Sequence, residues 1–317
     1  MNMHNEPLLA MRFPPPSRTL IQQASADAPR GKLWTWIQAL PETIEQRLSR
    51  WQIEWTGESL KQGYFSYVLP CRCQDGTQAI LKLSPLAREA QEQVIALSGW
   101  AGCGAAPLLT ESLEENGAAL LIGRIAPGTA WRPLDDPDGR RIAECLQQLV
   151  RVSASSVRGS LPSGLQRLAA QLAANARHLH ALNPLLRYHH DSMIALVDTI
   201  GRSQRPEQRS VLLHGDLHAG NLLLGSYGEL VAIDPTPALG EPEQDIGDAA
   251  AKNDWGQKLA TRVKQLAAAC NADPAKVGAY ARLAAWNSGI FHTATGAIPP
   301  GGIDPDELIE YACTESA

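Results

Sequence analysis

No run of about 18 or more apolar residues occurs in this 317-residue chain, which argues against a membrane-spanning helix. The opening MNMHNEPLLAMRFPPPSR lacks a basic segment followed by an apolar one, so no secretory signal is expected. A basic excess is missing too: 28 Lys+Arg against 33 Asp+Glu leave a formal charge of −5. Nucleic-acid binders need a basic stripe to neutralise phosphates, so that class is not expected. A cationic ligand is compatible with the balance. Cysteine is sparse and scattered, at Cys71, Cys73, Cys103, Cys145, Cys270 and Cys313. Cys71 and Cys73 stand too close for a usual structural disulfide and lack a second ligand pair for zinc. Reduced thiols and a cytoplasmic protein are expected. No internal repeat is present.

What remains is the composition of an ordinary globular protein, 44% apolar and 19% charged, long enough for two modest lobes. Residues 1 to about 30, with Pro14–Pro15–Pro16, read as a loosely held extension. A helix follows, in which Trp34, Ile37, Ile44 and Leu48 share a face. From Trp51 the texture is short, β-branched and aromatic: WQIEW, YFSYVLP and TQAILKL, with a hairpin turn at Asp75–Gly76. The helical stretch LAREAQEQVIALSGW comes next, then a second hairpin turned at Asn116–Gly117. Beyond Pro127–Gly128 the chain is mostly helical, over 138–155, 162–182, 189–201, 244–252, 254–270 and 274–292. Asp273–Pro274 and Asp304–Pro305 each offer an N-cap followed by proline in the first turn. The fold class expected is α+β, with a small antiparallel-sheet lobe carrying one inserted helix (51–125) and a larger, mainly helical lobe (126–317). Residues 1–50 form a partly helical extension in this scheme.

The chemistry is concentrated in VLLHGDLHAGNLLLGSYGELVAIDP, residues 211–235. Two apolar runs, Val211–Leu213 and Leu230–Ile233, end in polar clusters, the pattern of buried strands delivering side chains to their ends. Asp216, Asn221 and Asp234 together can supply oxygen ligands of the kind Mg²⁺ takes alongside water and phosphates, with one carboxylate left as a base. Read singly, each is an ordinary loop residue. His214, Asp216 and His218 also spell an H-x-D-x-H zinc set, but no further histidines are suitably spaced to complete it.

HGDLHAGN followed by IDP resembles the catalytic loop and metal motif of the aminoglycoside phosphotransferase family, within the protein-kinase-like fold. The order HGDLHAGN, IDP, GEPEQDIGDAA and ARLAAWNSG is similar to the streptomycin 6-phosphotransferase and hydroxyurea-resistance kinase branch. The resemblance spans residues 50 to 315 and is strongest over 211–290. It implies ATP and Mg²⁺ as cofactors, Asp216 as the residue that accepts the hydroxyl proton, and Asn221 and Asp234 as Mg²⁺ ligands. His214 would brace the loop. Lys82, in AILKLS, would hold the nucleotide phosphates with Glu89, or else Glu92, as its partner on the next helix. Backbone around Gly123 and Ile125 would meet the adenine edge.

Three departures stand out. There is no G-x-G-x-x-G loop, only TGESLKQGYFSYV; Gly215 replaces the arginine that protein kinases carry before the aspartate; and only a short segment separates Asp234 from the next helix. A constitutively assembled small-molecule kinase is expected. A cationic aminoglycoside calls for an acidic pocket, for which Glu241, Glu243, Asp245 and Asp248 are candidates beside Trp286 and Asn287. Asp245 capping its own helix and Trp286 as core are the alternative readings. A kinase for a sugar, amino alcohol or modified amino acid fits the same motifs, as does a nucleotide-binding pseudokinase.

Overall fold

The computed structural model describes residues 12–25, 31–60, 62, 65–114, 117–179, 184–204, 209–297, 299 and 303–314. The chain divides into two compact units, Met1–Val94 with Ala106–Arg124, and Ile95–Ala105 with Ile125–Ala317.

In the first unit, α1 (Arg18–Ser25) and α2 (Lys32–Trp51) precede β1 (Ile53–Trp55), β2 (Tyr67–Cys73) and β3 (Gln78–Ser84). Then come α3 (Ala87–Trp100), which belongs to this unit as far as Val94, β4 (Leu108–Glu114) and β5 (Gly117–Gly123). The strands form one antiparallel sheet in the order β1-β2-β3-β5-β4. The β2–β3 turn closes as expected, with Asp75 Oδ1 accepting the Thr77 N–H at 2.9 Å. Asn116 of the second turn lies outside the described residues.

Alternation along the strands sorts their two faces. Tyr67, Leu69 and Cys71 of β2, Ala79, Leu81 and Leu83 of β3, and Ala119 and Leu121 of β5 enter one core cluster. Ile53 of β1, Ile37, Leu40 and Ile44 of α2, Leu20 and Ala24 of α1, and Phe13 complete it. Lys82, paired in register with Val68 and Leu120, therefore belongs to the opposite face.

This cluster corrects the expectation of a loosely held extension. Among the described residues of that segment, Phe13 meets Trp55 edge-on at 5.5 Å, and the Tyr67 hydroxyl donates to Pro14 O at 2.8 Å. The boundary drawn at residue 50 also falls inside this unit. The physical reason is that a five-stranded sheet has two faces, and among the described residues one of them is covered by α1, α2 and Phe13. Truncating Ile44, which is fully buried there, to alanine is expected to destabilise the protein by about 2–5 kcal/mol, read as a lowered urea midpoint. An unchanged midpoint would show that the N-terminal layer is dispensable.

The second unit continues with β6 (Thr129–Ala130), α4 (Arg140–Leu149), α5 (Gly164–Leu179) and α6 (Pro184–Ser203). After them come β7 (Val211–Leu213), β8 (Leu222–Leu224), β9 (Leu230–Ala232) and β10 (Ala238–Gly240). Four helices close the unit: α7 (Pro242–Lys252), α8 (Leu259–Ala269), α9 (Pro274–Thr295) and α10 (Pro305–Cys313). Asp273 and Asp304 cap α9 and α10 as expected, each accepting an N–H at 2.9 Å with proline in the first turn. β7 pairs antiparallel with β10, while β8 lies between β6 and β9. α7 is buried from Gln244 through Ala251. It approaches α9 backbone to backbone at Gly247, where a Cβ would fall 2.7 Å from Ala281 N and 2.8 Å from Val277 O. That contact brings the acidic helix α7 beneath the polar loop after β7. Among the described residues, no helix is long and apolar enough to cross a membrane.

Candidate active site

β7 is three residues long and fully buried, and the chain leaves it through His214, Gly215 and Asp216. Gly215 adopts φ +74°, and a Cβ on it would lie 2.2 Å from Thr236 O. The missing arginine therefore has a local cause: this turn excludes any side chain. Thr236 N donates back to His214 O at 2.9 Å, which ties the loop to the segment after Asp234.

His214 is fully buried and stacks on Trp100 with centroids 6.0 Å apart. Its Nδ1 accepts the Asp216 N–H at 3.3 Å, so the ring proton is assigned to Nε2, which faces Ile233 O at 3.0 Å. Burial pushes the imidazole pKa down to about 4, against the opposing pull of Asp216. Both ring nitrogens are thus engaged by the backbone of the loop and of Ile233. Among the described residues, no group of three or more His, Cys, Asp or Glu is placed to hold a metal ion.

Asp216 is about one-third exposed, its side chain at 35%. Oδ1 accepts from Lys252 Nζ at 2.9 Å. Oδ2 accepts from Asn221 Nδ2 at 3.3 Å and lies 3.5 Å from His218 Nε2. Burial alone would raise this carboxyl, but the Lys252 charge and the His218 contact outweigh it and hold it well below the usual carboxylate range. His218, otherwise unexplained by its sequence position, thus touches the key carboxylate. It also caps the turn Ala219–Asn221, its Nδ1 accepting Gly220 N at 3.0 Å.

Asn221 and Asp234 are brought together by the β8–β9 pairing and by Ile233 N donating to Asn221 O at 2.9 Å. The Asn221 amide nitrogen is committed to Asp216, to its backbone O at 3.0 Å and to Oδ2, so its carbonyl oxygen is the atom it offers a cation. Asp234 is exposed, with its backbone in the left-handed region at φ 57°. One amide oxygen and one carboxylate, both hard donors, fit Mg²⁺, which takes few protein ligands when phosphates and water supply the rest.

α7 grips this loop from below. Asp245, fully buried, accepts His214 N at 2.6 Å through Oδ2 and Gly215 N at 2.9 Å through Oδ1. Burial raises its pKa to about 7 even though both amide hydrogen bonds favour the charged form. Asp248 Oδ2 accepts Leu217 N at 2.9 Å, and Asn253 Nδ2 donates to Leu217 O at 2.9 Å. Lys252, Asp248 and Asn253 were not singled out together by the sequence, although Asp248 and Lys252 stand at the i,i+4 spacing of a helical ion pair.

The residues offered for the acceptor sit differently from that expectation. Asp245 is an anchor for loop amides, not an open carboxylate. Glu241 is 5% exposed and is taken by Lys276 at 2.6 Å and the Tyr280 hydroxyl at 2.9 Å. Trp286 is fully buried core, its Nε1 donating to His190 Nδ1 at 3.2 Å. Asn287 is buried against α5, accepting from Asn175 Nδ2 at 3.0 Å and donating to Gln171 Oε1 at 3.4 Å. Glu241 is thus spent on α9, Asp245 on the loop after β7, and Trp286 and Asn287 on α6 and α5.

In the first unit, Lys82 is buried on β3, and its Nζ donates to Gln93 Oε1 at 2.8 Å. Of the two glutamates considered for it, Glu92 is buried and Glu89 exposed. Gly123 N–H is already used, donating to Pro107 O at 2.8 Å, and Arg124 forms a two-pronged ion pair with Glu58. Ile125 is the first residue of the second unit's main segment.

Residues 50–296 match the family model described as aminoglycoside/hydroxyurea antibiotic resistance kinase. Over 220 residues the chain is 31% identical to a streptomycin 6-kinase of Streptomyces glaucescens, a match covering 67% of this chain and 66% of that one. It is 33% identical to a hydroxyurea phosphotransferase of Kitasatospora aureofaciens, covering 65% and 59%. The match thus spans less than two thirds of the length of these curated relatives. Among solved structures, a choline/ethanolamine kinase family protein from Mesorhizobium loti superposes with a TM-score of 0.56 at 14% identity, covering 86% of this chain and 90% of that one. At that identity the likeness speaks to the fold alone, which is protein-kinase-like.

Proposed function

Because the chain belongs to the aminoglycoside/hydroxyurea antibiotic resistance kinase family, we propose that it transfers the γ-phosphoryl group of ATP to a hydroxyl of an aminoglycoside such as streptomycin. The observation that carries this reading is Asp216: an ionised carboxylate in the loop after β7, partly open to solvent, with Asn221 beside it and Asp234 two residues beyond β9, the strand that pairs with β8. Asp216 orients the acceptor hydroxyl and takes its proton as the oxygen bonds to the γ-phosphorus. The bond from that phosphorus to the β–γ bridging oxygen breaks in line, and ADP leaves. Asn221 and Asp234 would hold Mg²⁺, which when bound offsets charge on the nucleotide phosphates. Lys82, with Glu89 or Glu92 as counter-charge, steadies the α- and β-phosphates.

A specific observation favours a second reading, a kinase for a smaller or uncharged acceptor. Of the four carboxylates offered to a guanidinium, Glu241, Asp245 and Asp248 are spent on internal partners. Release of ADP from Mg·ATP across an acceptor panel (streptomycin, other aminoglycosides, hydroxyurea, choline, ethanolamine, sugars) separates the readings. Acceptor-dependent turnover with streptomycin, together with survival of a streptomycin-sensitive host carrying the gene, is expected. Turnover confined to acceptors other than aminoglycosides would replace the leading reading, and nucleotide binding with no turnover on any acceptor would leave a pseudokinase.

A further inference from the structure

Lys252, the last residue of α7, does more than set the charge of Asp216. Its Nζ lies 2.9 Å from Asp216 Oδ1 and 2.8 Å from Asp248 Oδ1, with the side chain only 16% exposed. We propose that Lys252 is a positioning residue for the phosphoryl transfer: it pins Oδ1 of Asp216 and so presents Oδ2 to the acceptor hydroxyl. The role rests on the phosphotransfer reading.

The two carboxylate oxygens are held unequally. Oδ1 has a short, charge-assisted contact, the kind that fixes a rotamer. Oδ2 has only the Asn221 amide at 3.3 Å and His218 Nε2 at 3.5 Å, both at the long end of hydrogen bonding. Oδ2 is therefore the oxygen with a lone pair to spare for an incoming O–H. The proton moves to Oδ2 as the acceptor oxygen bonds to phosphorus and ADP departs, while Oδ1 stays locked to the ammonium.

Lys252 is itself fixed. Asp248 holds it with one oxygen and the Leu217 N–H with the other, and Asn253 takes Leu217 O. Asn253 Nδ2 also donates to Ala249 O at 2.8 Å, which ties the grip to the body of α7. The end of α7 and its C-cap Asn253 thus meet residues 216 and 217 at three points: one side chain, one N–H and one C=O. A helical i,i+4 pair in solvent would need none of this. An ammonium this deeply placed between two carboxylates is costly unless its geometry is maintained, and here that geometry is what orients the reacting oxygen.

The test follows ADP release from Mg·ATP with streptomycin as acceptor, and with water as acceptor, since hydrolysis draws on the same base. Lys252→Met is made alone and in an Asp248→Asn background, which removes the carboxylate that would otherwise be buried unpaired. Both should lower kcat on the order of 10- to 100-fold, with KM for ATP moving less than about threefold. The double variant should unfold near the wild-type midpoint, and Lys252→Arg should recover most of the lost kcat. Wild-type kcat in both methionine variants, or a loss in Lys252→Arg as deep as in Lys252→Met, overturns the proposal. Asp216→Asn run in parallel separates the two levels. If it turns over normally, the phosphotransfer reading fails. If it is inactive while Lys252→Met is not, only the role of Lys252 fails.

Discussion

Asp216→Asn is expected to lower kcat by roughly 100- to 10,000-fold, the range associated with losing a positioned acid–base group, while ATP binding changes little. Asparagine preserves the shape of the side chain, and its oxygen still accepts from Lys252, so the loop keeps its path. What is lost is an oxygen able to take the hydroxyl proton and the charge that balances Lys252. Turnover in the variant close to wild type, measured as ADP release with saturating Mg·ATP, would remove Asp216 from the chemistry. A large rise in the dissociation constant for ATP with kcat preserved would move it to nucleotide binding instead.

Asp245→Ala is expected to cost both stability and turnover, because it strips the acceptors from two buried loop amides. Each orphaned N–H costs about 1–3 kcal/mol, so the pair is expected to cost roughly 2–6 kcal/mol. His214 and Gly215 are the residues whose backbone sets where Asp216 begins. Loosening them should lower kcat well before it changes KM for the acceptor. Urea unfolding and steady-state kinetics on one preparation check both effects. A raised acceptor KM with stability and kcat intact would return Asp245 to the acceptor-binding role its acidic neighbourhood first suggested.

Much of the fold was legible because its signals are local. The Asp75–Gly76 turn, the proline-led caps at Asp273 and Asp304, and the helical stretches from 140 onward rest on residues within one turn of each other. The N-terminal segment was misjudged because its few apolar residues, Phe13, Leu20 and Ala24, have no strong period of their own. Their meaning comes from a sheet face formed some thirty to a hundred residues later in the chain. For the site, the motif spacing brought Asp216, Asn221 and Asp234 into one account, and β8–β9 pairing gives that account a geometry.

What the sequence by itself determined is the short-range grammar of the catalytic stretch: apolar runs that end in Asp216 and Asp234, a glycine before the first aspartate, and an asparagine five residues after it. Strand alternation and turn chemistry act between near neighbours, so a linear pattern records them. Only the tertiary structure decided how α7 is used. Close packing at Gly247 turns its carboxylates inward, so Asp245 and Asp248 hold loop amides and Lys252 reaches Asp216. Those partners are about thirty or more residues apart in sequence, and the direction of a buried side chain is set by which helix packs against it, which no spacing along the chain encodes.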